Sequence, residues 1–303
     1  MSAAGRAGFG APRWTIWVAL FAVYIIWGST YLAIRYAVET TPPFLMAAAR
    51  FLISGGFLFS LRRAYGDPPP QPAEWRSATI IGVFLLVGGN GGVVWAEQFV
   101  ASGLVALLVA TVPLWMVLIE ALRPGGRSPG ARAATGIVAG FVGAVLLVGV
   151  NPEDSGPMNV WGVCVVGAAS FSWALGSIYS KRAALPPSQL LSTGMEMLTG
   201  GTALAILGSL AGEWWGLDVA SFSTRSLLAL LYLIVFGSGA FGAYVWLLRV
   251  APTPLVSTYA YVNPLVAVVL GHLIAGEALT FHMLLAATLI VGSVAFVSIA
   301  RDS

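Results

Sequence analysis

A set of residues returns 151 positions further along this chain. Val94, Trp95, Leu104, Val105, Pro113, Leu114 and Val117 reappear as Val245, Trp246, Leu255, Val256, Pro264, Leu265 and Val268. Both sets lie in long apolar stretches, so the chain reads as one unit built twice. A membrane-crossing helix needs about 20 apolar residues. Ten such runs can be read, at about 14–34, 43–61, 77–96, 102–122, 132–150, 159–179, 189–211, 226–247, 255–274 and 281–299. Five per copy is odd, so the second copy is expected upside down relative to the first. Inverted repeats of this kind are a plan common among secondary transporters. The expected fold is an all-α integral membrane protein with ten transmembrane helices as two inverted five-helix repeats, 1–151 (spans 1 to 5) and 152–303 (spans 6 to 10).

Composition agrees. Apolar residues make up 58% of the chain and charged residues 9%, with a mean hydropathy of +0.87, whereas soluble domains carry about 25% charge. The first span has the full length of a retained helix and no A-x-A-like cleavage site behind a short apolar core, so it is not read as a signal peptide. The single cysteine, Cys164, falls inside a span and can form no internal disulfide.

The cations sort by loop. With the N-terminus in the cytoplasm, the inner segments hold 12 of the 15 Lys and Arg residues, among them Arg62, Arg63, Arg76, Arg123, Arg127, Lys181 and Arg182. The outer loops hold Arg35 and Arg225, and Arg50 lies within a span. The positive-inside rule then places both termini in the cytoplasm of a multi-pass plasma (bacterial inner) membrane protein. These cations orient the chain in its lipid bilayer and do not imply a nucleic-acid partner.

A second register, offset by 146, pairs Trp27 with Trp173, Arg35 with Lys181, Leu45 with Leu191, Gly55 with Gly201 and Leu58 with Leu204. Near the ends Gly143 matches Gly292. These registers match spans 1 to 5 with spans 6 to 10.

Four segments, taken in order, resemble the EamA family of the drug/metabolite transporter superfamily. They are Trp27-Gly28-Ser29-Thr30, Trp95-Ala96-Glu97-Gln98 leading into Ser102-Gly103-Leu104-Val105-Ala106-Leu107-Leu108, Pro113-Leu114, and Gly276-Glu277-Ala278-Leu279. The resemblance implies a secondary transporter, usually an exporter of amino acids, related metabolites or drugs. It also implies a central cavity between the halves, lined by spans 1, 3, 4, 6, 8 and 9. One departure stands out: the Gly-Glu of the second half has no counterpart after span 4, where Glu120 is followed by Ala-Leu-Arg-Pro-Gly-Gly.

Polar side chains within spans are costly unless they face protein or water, so their positions map the interior. Asn90 sits in Gly88-Gly89-Asn90-Gly91-Gly92, a run that favours either close helix packing or a local opening of the backbone beside a substrate. Pro113 and Pro264 each remove a backbone hydrogen bond and are candidate hinges. Trp27, Trp95, Thr111, Trp115, Trp173, Tyr244, Tyr259 and Asn263 are further candidates for contact with a small-molecule substrate. Aromatic walls with few polar groups suit an amphipathic organic solute or cation. Three charged candidates complete the set. Arg50 has Glu196 as its counterpart in register, and the two could pair, or Arg50 could take a substrate carboxylate. Glu97 could carry a coupling proton or sit in water as a loop residue.

Other motifs fail on context. Gly237-Ser-Gly-Ala-Phe-Gly242 spells G-x-G-x-x-G, but no strand precedes it within a βαβ unit. The only lysine, Lys181, ends no phosphate-binding loop. His272 and His282 lack the ligand arrangement of a metal site, so neither metal nor cofactor is expected. A membrane enzyme would need clustered acids, His or Cys at one face, and a channel would need charge rings or filter repeats. A carrier that is not an enzyme fits the residues better than either.

Overall fold

The computed structural model describes residues 12–123, 130–148, 159–251, 255–256 and 258–302. The connection carrying Glu153 and Asp154, and the side chain of Tyr261, lie outside them. The described residues form helices and turns, with no strand. In chain order the helices are α1 (Arg13–Ala37), α2 (Pro43–Ala64), α3 (Pro72–Ala96), α4 (Ser102–Leu122), α5 (Ala131–Val148), α6 (Val160–Ser180), α7 (Gln189–Leu210), α8 (224–250), α9 (Tyr259–Ala275) and α10 (Phe281–Asp302). Seven are long and apolar enough to cross a membrane: α1 to α4, α6, α7 and the Thr224–Phe241 part of α8. The other three carry shorter apolar stretches, Ala134–Leu146, Val262–Ala275 and Phe281–Phe296.

Local chemistry sets the boundaries. Proline stands in the first turn of α2 and of α3, where a missing N–H costs nothing. Gln71 and Glu74 form a reciprocal capping box on α3. Asn159, Ser188 and Ser223 cap α6, α7 and α8 through their side-chain oxygens. Helix α9 ends at Gly276, whose φ of 66° lies in the left-handed region that glycine enters without a Cβ clash.

Packing runs mainly between the halves. Helix α2 lies against α7, α5 against α10, and α4 against α9. Helix α1 packs on α8 and α9, and α6 packs on α3 and α4. Exchanging the halves maps α1·α9 onto α6·α4 and α1·α8 onto α6·α3, so the neighbour pattern repeats. Small residues let the helices approach: a Cβ on Gly55 of α2 would lie 2.7 Å from Met197 Cβ and 2.9 Å from the Gly194 carbonyl of α7. That closeness is the small-residue packing that holds helices together where lipid offers no hydrophobic drive.

Two helices widen into π turns, α3 over Val83–Gly91 and α8 over Leu233–Gly237. These segments start 150 residues apart, at equivalent places in the two copies. A π turn breaks the regular α ladder and is frequent at functional sites. In α3, Ser172 Oγ of α6 donates to the Phe84 carbonyl at 2.7 Å. The glycine run thus departs from the regular α ladder and also packs closely against α6. A Cβ on Gly89 would sit 2.7 Å from Trp173 Cε3, and one on Gly92 2.9 Å from Ala169 Cβ.

Candidate functional site

Aromatic side chains from three helices meet around Trp27. Its ring lies 5.1 Å from Tyr244 of α8 and 5.2 Å from Tyr259 of α9, the latter edge to face. Tyr244 and Tyr259 are 5.4 Å apart at 80°, and Phe241, one turn from Tyr244, stands 6.4 Å from Trp27. The next residue, Gly28, lets α9 come close: a Cβ there would lie 2.6 Å from Val266 Cβ. Three positions expected to touch substrate are thus one cluster, with Phe241 an addition that sequence reading did not single out.

Trp115 belongs to a separate aromatic group, 4.6 Å from Phe141 of α5 and 5.3 Å from Phe171 of α6. Trp95 pairs with Phe99 at the end of α3. Trp173 is 36% exposed and covers Gly89. Thr111 is buried, and its hydroxyl donates to the Leu108 carbonyl at 2.6 Å. Here α4 breaks into a turn at Ala110 and Thr111, and a new helical segment starts at Val112. Pro113 sits in the first turn of that segment. Pro264, in contrast, lies inside the continuous helix α9. The two prolines share a register but not a local geometry.

Buried polar atoms without a protein partner are concentrated on the expected positions. Among the described residues they are Arg50 Nη1, Asn90 Oδ1, both carboxylate oxygens of Glu97, Trp115 Nε1 and Asn263 Oδ1. They come from α2, α3, the α3–α4 turn, α4 and α9. Leaving one such atom unsatisfied costs about 1–3 kcal/mol. Asn263 is 8% exposed and one turn from Tyr259, which brings the aromatic cluster and an unpaired amide together on α9.

Arg50 reaches from α2 towards the π turn of α8, where its Nη2 lies 3.3 Å from where a Cβ on Gly237 would stand. It forms no ion pair with Glu196, nor does Glu196 with any other described residue. The symmetry that aligns the two residues does not bring their charged ends together. The carboxylate whose charge reaches Arg50 is that of Glu97.

Glu97 is 3% exposed in the connection between α3 and α4, outside both spanning segments. Burial, reinforced by the negative charge of Glu277, holds its carboxyl well above the usual range, and the nearby positive charges of Arg35 and Arg50 only partly oppose this. It is no solvated loop residue.

Glu277 is the best-connected acid in the described structure. Its Oε1 accepts from Arg35 Nη1 at 2.7 Å, Ser102 N at 2.8 Å and Ser102 Oγ at 2.7 Å, and its Oε2 accepts from Gly103 N at 3.0 Å. The turn after α9 thereby caps α4 and ties it to α1. His272 Nδ1 lies 2.9 Å from the Glu277 carbonyl and steadies the same turn. Sequence reading treated Arg35 only as a loop cation, although its match with Lys181 in the 146 register was the signal that it is structurally special.

The EamA-like transporter family model matches this chain twice, over residues 13–149 and 160–299. The protein YedA of Escherichia coli strain K12, named as an uncharacterized inner membrane transporter, is 41% identical over 287 residues, covering 93% of this chain and 90% of that protein. Protein PagO of Salmonella typhimurium strain LT2 is 28% identical over 291 residues, with 92% and 91% covered. A solved structure described only as a crystal structure of protein superposes with a TM-score of 0.62 at 21% identity, over 96% of this chain and 99% of the other. That likeness speaks to the fold alone. The double family match and the extent of the YedA similarity show that this multi-pass membrane protein belongs to the EamA-like transporter family.

Proposed function

We propose that this protein is a secondary active carrier which exports small organic solutes, such as amino acids or amphipathic drugs, across the inner (plasma) membrane by alternating access. Its ten helices act as two inverted five-span repeats, 1–151 and 152–303, with both termini in the cytoplasm. The observation that carries this reading is the set of buried, partnerless polar atoms on Arg50, Asn90, Glu97, Trp115 and Asn263, drawn from both halves and joined on α9 to the Trp27–Tyr244–Tyr259 cluster. Such a lining offers π faces to an apolar body and a few hydrogen bonds to its polar end. Arg50 takes an anionic group of the solute, Glu97 carries the coupling proton, and Pro113 and Pro264 serve as hinges. Neither a reaction centre nor a cofactor is part of this reading.

The test begins with the purified protein and a thermal-shift screen against amino acids, polyamines and nucleosides. Solutes that raise the melting temperature are then offered to proteoliposomes under an imposed pH gradient. Gradient-dependent accumulation supports the carrier. Equilibration without accumulation would indicate a channel, and chemical conversion an enzyme.

A further inference from the structure

Three ion pairs among the described residues join the halves; Arg225 with Glu39, at 3.7 Å just after α1, is one, and the other two stand at opposite ends of α4. At its start, Arg35 of α1 meets Glu277 of the α9–α10 turn at 2.7 Å, on the carboxylate that also caps Ser102 and Gly103. At its far end, Lys181 after α6 meets Glu120 of α4 at 3.1 Å. Ser102 and Glu120 are separated by about 27 Å of helix at 1.5 Å per residue, so the pairs lie near opposite membrane faces.

Arg35 and Lys181 occupy the same position in the two copies, 146 residues apart. Their partners are not in register, which is why Glu120 stands out as a departure after span 4. Both contacts nevertheless have the same logic. Each runs from the end of one copy's first helix to an acid supplied by the other copy. A carrier that opens by parting its halves at one face must break the contacts crossing there and can keep those at the other.

We infer that Arg35–Glu277 and Lys181–Glu120 are two latches of this carrier, opened in turn as it parts at one face and then the other, and that the conformation described has both formed, the Lys181–Glu120 latch being the weaker. This rests on the transport reading above. The two pairs differ in how firmly they are held. The Arg35 and Glu277 side chains are 35% and 5% exposed, whereas those of Lys181 and Glu120 are 54% and 30% exposed. An exposed pair is held weakly, while a buried one with further donors resists opening. Glu97, buried beside the Arg35–Glu277 latch, gives Arg35 a second carboxylate to turn to when Glu277 is released.

The experiment uses the full chain with Cys164→Ser, removing its only cysteine, and Asn90→Cys as the reporter. Reaction with a membrane-impermeant charged thiosulfonate is measured from each side, in right-side-out and inverted vesicles. Arg35→Gln opens the first latch but leaves Glu277 capping Ser102 and Gly103, so the fold is retained. It should raise labelling from the Arg35 face roughly tenfold and lower it from the other, as a population shift requires. Lys181→Gln should shift labelling the opposite way by roughly twofold, because that pair is the more exposed and the weaker. Arg35→Lys should restore the parent pattern. Unchanged labelling in both variants, or an equal rise from both faces, overturns the latches. The labelling needs no solute, and accumulation is measured on the parent with Asn90 intact: a sided shift without solute accumulation keeps the latches and removes the transport reading, and accumulation without a sided shift does the reverse.

Discussion

Glu213 and Asp67, 146 residues apart, place carboxylates beside the N-termini of each other's partner helices. Glu213, just after α7, accepts from Phe44 N at 3.1 Å and Leu45 N at 2.8 Å in the first turn of α2. Asp67, just after α2, binds Arg62, whose Nε also donates to Ser188 Oγ, the cap of α7, at 3.1 Å. One cap is direct and the other relayed. Both act at helix ends where a negative charge is favoured.

The direct cap should matter more. Glu213→Ala removes the acceptor for two backbone N–H groups and is expected to cost about 1–2 kcal/mol, read as a lower melting temperature in detergent. Asp67→Asn leaves Ser188 as the cap of α7 and should lower the melting temperature less. If the two variants melt alike, the direct contact carries no special weight.

The glycine run of α3 is a packing surface as well as an opening. Gly89→Ala would place a methyl group 2.7 Å from Trp173, and overpacking of this kind costs about 1–3 kcal/mol. Adding Trp173→Leu should recover part of the loss. A Gly89→Ala protein as stable as the parent would show that Trp173 swings away freely.

Glu97 makes stability depend on pH with a definite sign. Its folded carboxyl is held above its unfolded value by burial and by Glu277, so the folded state binds the proton more tightly. The contribution is complete below the ordinary carboxylate pKa of about 4.3 and is lost as pH rises through the higher folded value. The parent should therefore lose melting temperature with rising pH, and Glu97→Gln should flatten that part of the profile. Arg35, Arg50, Glu277 and Tyr31 are the ionisable groups that sense its charge. Identical profiles in parent and variant would exclude a titrating Glu97.

In the aromatic cluster, Trp27→Ala deletes a ring that touches Phe241, Tyr244 and Tyr259. A loss of about 3–5 kcal/mol is expected, large enough to blur any effect on solute binding. Trp27→Phe keeps an aromatic wall and should retain the fold while weakening the thermal shift produced by a bound solute. An undiminished shift would place the solute elsewhere.

The proposed hinges separate by context. Pro113 follows an existing break in α4, whereas Pro264 sits inside an unbroken helix. Pro113→Ala and Pro264→Ala should both slow transport more than they reduce expression, with the larger effect at Pro113, where the chain already departs from helix. Unchanged transport in both would leave the prolines as packing features.

Much of this architecture was legible because membrane helices are written in local terms. Apolar length, proline at first turns and a repeated Trp–Pro register need only neighbours in sequence, and burial in lipid or protein forces unpaired polar groups inward. That is why Arg50, Asn90, Glu97, Trp115 and Asn263, polar or aromatic residues set in apolar sequence, are the ones that carry the partnerless buried atoms. What remained hidden was which ends meet. Register aligned Arg50 with Glu196, but α2 and α7 pack through Gly55 and Gly194, and Arg50 reaches instead towards α8. The partner of Arg35 lies 242 residues away and depends on the left-handed turn at Gly276, which aims the Glu277 carboxylate at the start of α4. Sequence alone determined the all-helical membrane class and the register in which its residues recur. Only the tertiary structure decided which charges pair across the two halves, because side-chain contact depends on helix rotation and turn geometry that the repeat does not encode.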